Sequence, residues 1–153
     1  MLVTMQALSD KGREVHFPGT VDPKTPLAQG WLRVSHRQPD EAKSEPWRPY
    51  HTHADKQMLI PGEIYEVDVE IWPQCIVLPK GFQIALNISG QDFDRPGPAV
   101  DAYVPSRGSG VFLHDHPTDR PKEIFGGKTT IHTGPKHPSH LLLPIIPKNR
   151  KSM

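Results

Sequence analysis

The sequence predicts an all-β domain, a sandwich or jelly roll, and three observations carry that reading. Residues 63–72, EIYEVDVEIW, alternate Tyr65, Val67, Val69 and Ile71 with Glu66, Asp68 and Glu70. That period of two puts one face of a strand in a core and the other in water. Residues 82–90, FQIALNISG, place Phe82, Ile84, Leu86 and Ile88 on one side of a second strand, and the two runs are expected to lie side by side, antiparallel. No window carries a helical period, and the 18 prolines oppose helix, since proline breaks helix interiors and is confined to turns and edges in sheets.

The remaining elements follow in order. LVTMQAL (2–8) and GWLRVSH (30–36) read as strands, as do KTTIHTG (128–134) and HLLLPIIP (140–147). PQCIVLPKG (73–81) carries the Pro and Gly breakers of a connection between the two strongest strands. Three long loops remain, at 37–61, 91–110 and 115–127. Loops longer than about 12–15 residues in a compact domain are usually functional or disordered. These contain Trp47, Tyr50, Phe93, Tyr103 and Phe125 with many prolines, a composition that suits an ordered path lying on a surface.

Length and composition narrow the function classes. A chain of 153 residues is one domain and buries roughly two thirds of its unfolded surface. No apolar run approaches the ~20 residues of a membrane-spanning helix, so no membrane association is expected. MLVTMQALSDKGREV lacks the basic, apolar and small-residue regions of a secretory leader, and a cytoplasmic location follows as the expectation. A net charge of +1 with interspersed signs offers no basic stripe, so nucleic acid is not an expected partner. Cys75 is the only cysteine, which excludes an internal disulfide and a multi-cysteine zinc site.

His51 and His53 in HTH, and His114 and His116 in HDH, have the spacing that aims two rings to one face of a strand, as a cupin metal site requires. A cupin also needs a Glu about four residues further on and another His after a P-x-G turn. Here ADKQML follows His53, and Ile84 stands where the later His belongs. The rings are expected instead to bond backbone carbonyls and pack on prolines. No G-x-S-x-G nucleophile turn occurs, and Ser89 and Ser109 read as turn residues. Cys75, flanked by IWPQ and IVLP, reads as a buried, inert thiol. Glu66, Asp68 and Glu70 share one strand face rather than facing each other across a cleft, so they serve solvation or guard an edge. Trp31 and Trp72 sit beside strand patterns and are expected in the core. No phosphate loop is present, and no metal or cofactor is expected.

The ordered set PLAQGWLRVSHR, RPYHTH, PGEIYEVDVEIWP, LPKGFQIALNISGQDF, FLHDHPTDRPKEIFGG, TIHTG and HLLLPIIP resembles the C-terminal domain of the X-Pro dipeptidyl-peptidase and cocaine-esterase-like hydrolases. The likeness runs from about residue 2 to about residue 147 and implies a galactose-binding-like jelly-roll β-sandwich over residues 1–147, with a basic tail at 148–153. It also implies a partner, an α/β-hydrolase domain carrying the Ser-His-Asp triad, joined in cis or met in trans. None of that triad lies in this chain, which is expected to be inactive alone. Similar domains have one or more strands before the segment matching LVTMQAL, so an edge strand is expected to be lacking, with self-association through the open edge. The segment HRQPDEAKSEPWRPYHTH (36–53) is expected to be an interface loop that gains its order on docking and presents Trp47, Arg48, Tyr50, His51 and His53. A free-standing carbohydrate or small-molecule binding module is the competing reading, and a histidine metal enzyme ranks third.

Overall fold

A single strand near the start of the chain, β1 (Leu2–Leu8), organises the computed structural model, which describes residues 1–17, 24–94 and 114–146. Its residues Leu2, Val3, Thr4, Met5 and Ala7 are all buried, on both faces, and Ala7 is fully enclosed. Gly12, in the left-handed region at φ 70°, turns the chain back, with the Ser9 amide bonded to the Arg13 carbonyl at 2.7 Å. This places β2 (Glu14–Val15) against the end of β1, Ala7 opposite Val15 and Leu8 opposite Glu14.

Strand β3 (Ala28–Trp31) pairs antiparallel with residues 2–5 of β1, from Leu2↔Trp31 to Met5↔Ala28. Strand β4 (Gln83–Ser89) pairs antiparallel with all seven residues of β1, from Leu2↔Ser89 to Leu8↔Gln83. A strand has two edges, so β2 and β3 share one and β4 takes the whole of the other. Residues opposite each other in a ladder point to the same face. Val3, Met5 and Ala7 therefore share a face with Ile88, Leu86 and Ile84. The core gathers around Met5, Leu27 and Ala28, covered by Phe17, Ile71, Ile76 and Leu141. Burying Met5 and Leu27 there contributes up to about 1.5–3 kcal/mol each.

The all-β expectation holds: strand dominates the regular structure of the described residues, and the α-helix among them is the one turn α1 (Lys122–Phe125). The strands at 2–8 and 82–90 form where expected. The pairing of 63–72 with 82–90 does not, because β4 takes β1 as its partner. Residues 63–72 carry no regular strand. Their burial nevertheless alternates, with Tyr65, Val67 and Val69 half-buried and Glu66 and Asp68 exposed. The reason is that period reports which side is apolar, whereas a ladder also needs a free edge in register. Segment 63–72 meets β3 through the Trp72 amide, bonded to the Gln29 carbonyl at 2.9 Å.

Other expectations are corrected in the same way. The strand expected at 30–36 ends at Trp31, and a 3-10 turn follows at Val34–His36, closed by the His36 amide on the Arg33 carbonyl. Residues 128–134 and 140–146 form no strand, although Leu141 still packs on the core. Cys75 is exposed rather than buried, because in its connection Ile76 is the residue turned to the core. Trp72 is 63% exposed and meets the half-buried Trp31 edge-on, ring centroids 5.1 Å apart. Ser109, most of the 91–110 loop and the tail 148–153 lie outside the described residues.

Gly30 is the tightest point of the sheet. A Cβ there would sit 2.1 Å from the Glu70 carbonyl oxygen, a backbone atom that cannot swing away like a side-chain tip. Gly30→Ala is expected to destabilise the chain by about 1–3 kcal/mol or more, as overpacked cores do. Urea unfolding checks this, and a midpoint equal to the wild type's would show that the 70–72 crossing yields freely.

Candidate functional site

The five residues singled out from the sequence lie on one excursion between the 3-10 turn and residue 57, and the excursion is a hydrogen-bonded hairpin. Its two arms meet at the Pro39↔His51 bridge. The Asp40 amide donates to the Tyr50 carbonyl at 2.7 Å and the Thr52 amide to the Gln38 carbonyl at 2.9 Å. At the tip, Glu45 and Arg48 exchange backbone bonds at 3.0 and 2.9 Å. The Ser44 hydroxyl accepts from the Tyr50 amide at 3.0 Å and donates to the Tyr50 carbonyl at 3.2 Å, which satisfies a residue whose neighbour Pro49 has no amide proton. Lys43 pairs with Asp40 at 3.3 Å and lies over the Tyr50 ring at 5.1 Å. The ion pair is exposed and worth about 0–1 kcal/mol.

At the base, Arg37 does more than the sequence indicated. Its guanidinium donates to the carbonyls of Val34 at 3.2 Å and Gln57 at 2.9 Å, and stacks over the Tyr65 ring at 4.3 Å. One side chain thus ties the 3-10 turn, the return arm of the hairpin and the 63–72 segment together.

The hairpin sorts the five residues into two groups. Trp47 (67% exposed), Arg48, Tyr50 and His53 stand outward, and His51 is buried at 8%. Burial holds its pKa below the ordinary imidazole range, the neighbouring His53 adds to this, and the Asp68 and Glu70 carboxylates partly oppose it. His53 has φ 53°, the one non-glycine residue among those described in the left-handed region, a conformation costing roughly 1–2 kcal/mol. Its ring stands 6.0 Å from that of His51 and 6.3 Å from that of His36. Among the described residues no group of three or more His, Cys, Asp or Glu is arranged to hold a metal ion.

A second constellation was not anticipated. The Asp92 carboxylate accepts from the His114 amide at 2.6 Å and pairs with His114 Nδ1 at 2.8 Å, so both of its oxygens are engaged by one residue. Arg120 donates to the His114 carbonyl at 2.8 Å and to the Gly90 carbonyl. Arg120 and Arg33 both lie over the Phe125 ring, at 5.5 and 5.4 Å. The Arg33 guanidinium also reaches the Asp119 carbonyl at 3.2 Å. His114 was expected on a backbone carbonyl and takes a carboxylate instead. The available signal was the set of charged residues in GQDFD and HDHPTDR flanking a Gly- and Pro-rich stretch.

The molecule described so far is an antiparallel β-module. Residues 1–142 match the family of X-Pro dipeptidyl-peptidase C-terminal non-catalytic domains, and the chain belongs to that family. Over 95 residues, 62% of this chain, it is 32% identical to cocaine esterase of Rhodococcus sp. (strain MB1 Bresler), of which the match covers 15%. Two crystal structures of a CocE/NonD family hydrolase from Staphylococcus aureus are similar in fold. One aligns over 75% of this chain and 20% of that one, with a TM-score of 0.62 at 26% identity. The other covers 56% and 16%, with a TM-score of 0.54 at 32% identity. The chain therefore spans a fifth or less of the length of these relatives.

Two measurements follow from the geometry. Asp92→Asn leaves one oxygen for two donors, and the variant is expected to lose about 1–3 kcal/mol in urea unfolding. No loss would show that the Asp92 contact carries no stability. For His51 the folded-state pKa lies below the unfolded value near 6.5, so the unfolded chain binds the proton first. Stability is expected to be full above about pH 6.5 and to fall as the pH drops from there through the lowered pKa, and His51→Gln is expected to flatten that slope.

Proposed function

We propose that this chain is the noncatalytic β-module of a CocE/NonD-type serine hydrolase and acts by packing on an α/β-hydrolase domain that hydrolyses an ester or X-Pro peptide bond. In this reading the four-stranded sheet belongs to a galactose-binding-like jelly roll. The observation that carries the proposal is the balance of apolar surface. Among the described residues 18 large hydrophobic side chains are exposed, against seven hydrophobic residues buried in the core. Scattered exposed hydrophobics are ordinary, but several here are consecutive or share a face. Met58, Leu59 and Ile60 form one run, and Ile145 and Ile146 are more than four-fifths exposed. Ile84, Leu86 and Ile88 extend the core face of β1 outward and stay 37–43% exposed. A hydrolase domain supplies the missing cover, and the family membership and the lengths of the relatives support that partner.

The hairpin 38–52 fits the same role. Its backbone and Ser44 bonds give it an internal frame, and Trp47 and Tyr50 are the aromatic anchors that dominate interface energetics when they reach a pocket. Arg48 beside them adds a charge-assisted donor.

The test uses the purified chain and the hydrolase domain of a CocE/NonD hydrolase deprived of its own C-terminal domain. The chain alone is expected to hydrolyse neither a p-nitrophenyl ester nor an X-Pro p-nitroanilide. Added to the hydrolase domain, it is expected to bind and to raise its thermal stability and turnover. Trp47→Ala with Tyr50→Ala is expected to weaken binding by a factor of ten or more. Turnover by the chain alone, abolished by a serine-directed reagent, would overturn the noncatalytic reading, and absence of binding would overturn the partnership.

A further inference from the structure

The docking hairpin is tied to the body of the domain at its base, and one of those ties is a set of imidazoles. His36 lies on the 3-10 turn, with Nδ1 3.1 Å from the Ser35 hydroxyl. His51 and His53 lie on the return arm of the hairpin, and the His53 ring neighbours both others, 6.3 Å from His36 and 6.0 Å from His51. The three rings thus connect the turn and the hairpin, and the buried His51 faces the Asp68 and Glu70 carboxylates of the segment 66–70.

We propose that His36, His53 and His51 form an acid-sensitive latch that holds the hairpin 38–52 down at neutral pH and releases it, with the rest of the sheet intact, in mildly acidic solution. Imidazole is the side chain whose ordinary titration falls in that range. The His53 ring lies about 6 Å from each of the other two, a separation at which like charges on neighbouring imidazoles repel.

His51 is the decisive member because it is buried, so its charged form is the one that must leave. The groups facing it are His53 on its own arm and Asp68 and Glu70 on the segment above. The two carboxylates soften the penalty without cancelling it. The left-handed backbone at His53 has the same consequence: strain held only by the closed arrangement is relieved when the hairpin lifts. The latch is a property of this chain alone and stands independently of any hydrolase partner.

Amide hydrogen exchange, corrected for the intrinsic pH dependence of exchange, tests it in the intact chain. The Asp40 and Thr52 amides report the hairpin, and the β1–β4 ladder reports the sheet. Between pH 7.5 and 5.5 the two hairpin amides are expected to lose at least tenfold in protection while the ladder amides hold theirs. His53→Asn, which tolerates the left-handed backbone, and His36→Gln are each expected to reduce the loss, and Asp68→Asn to enlarge it. In the wild-type protein, needing no substitution, the His51 ring carbon resonance is expected to titrate together with the opening. Unchanged hairpin protection at pH 5.5, an equal loss in the ladder, or a loss indifferent to His36 and His53 would overturn the latch.

Discussion

Every strand of this sheet depends on the backbone of β1. From Leu2 to Met5, and again at Ala7 and Leu8, β1 residues pair on both sides, with β3 or β2 on one edge and β4 on the other. A strand used in this way must be short of charge and small enough to accept neighbours on both faces, and LVTMQAL meets both conditions. Thr4 is the polar residue in its buried run, and the Gln29 amide reaches its hydroxyl at 3.4 Å. The segments that cover the sheet, at 70–76 and 141, do so with Ile71, Ile76 and Leu141 and few backbone bonds. Side-chain packing alone fixes position less sharply than a ladder, which is why the periphery relies on particular clasps: Arg37 on Tyr65, Arg120 on His114, Asp92 on His114.

Those clasps share a design. In each, a guanidinium or carboxylate spans residues distant in sequence and satisfies backbone groups that no sheet reaches. Buried or half-buried backbone needs partners, and in a proline-rich chain fewer amides are available to supply them. Ser44 at the hairpin tip and Asp92 beside His114 work alike: one polar side chain answers two backbone or ring donors and acceptors at once.

What the sequence made legible was local. The strands at 2–8 and 82–90 were readable because their hydrophobic periods coincide with real ladders, whereas the run at 30–36 overlaps β3 only at its end, Gly30–Trp31. The alternation at 63–72 was equally clear and reports burial faithfully from Tyr65 to Val69, but a period holds no information on whether a hydrogen-bonding edge remains free. Cys75 and Trp72 were misjudged for a related reason: their apolar neighbours are core-facing, and adjacency along an extended chain points the next residue away. The family likeness supplied the module's class, and the aromatics drew attention to the segment that forms the hairpin. Its anchor Arg37 and the Asp92–His114 clasp were not legible, since an arginine in a loop and an aspartate 22 residues from a histidine carry no periodic signature.

The pairing of β1 with β4 joins residues about 75 to 87 positions apart. On a ribosome adding roughly 5–20 residues per second, β1 emerges about 4–17 s before the strand that completes it. During that interval its second edge is open and its buried faces are wet, and the long loop to be closed makes the final step slow by topology. The local turn at Gly12 sets β2 beside Ala7 and Leu8, the nearest partner in sequence. A ladder of two residue pairs is marginal by itself, so the nascent strand stays largely open until β3 and then β4 join it. A chain whose central strand is completed by its last-made contact is most exposed to misassembly during synthesis, and β1 is the part of the molecule at risk then.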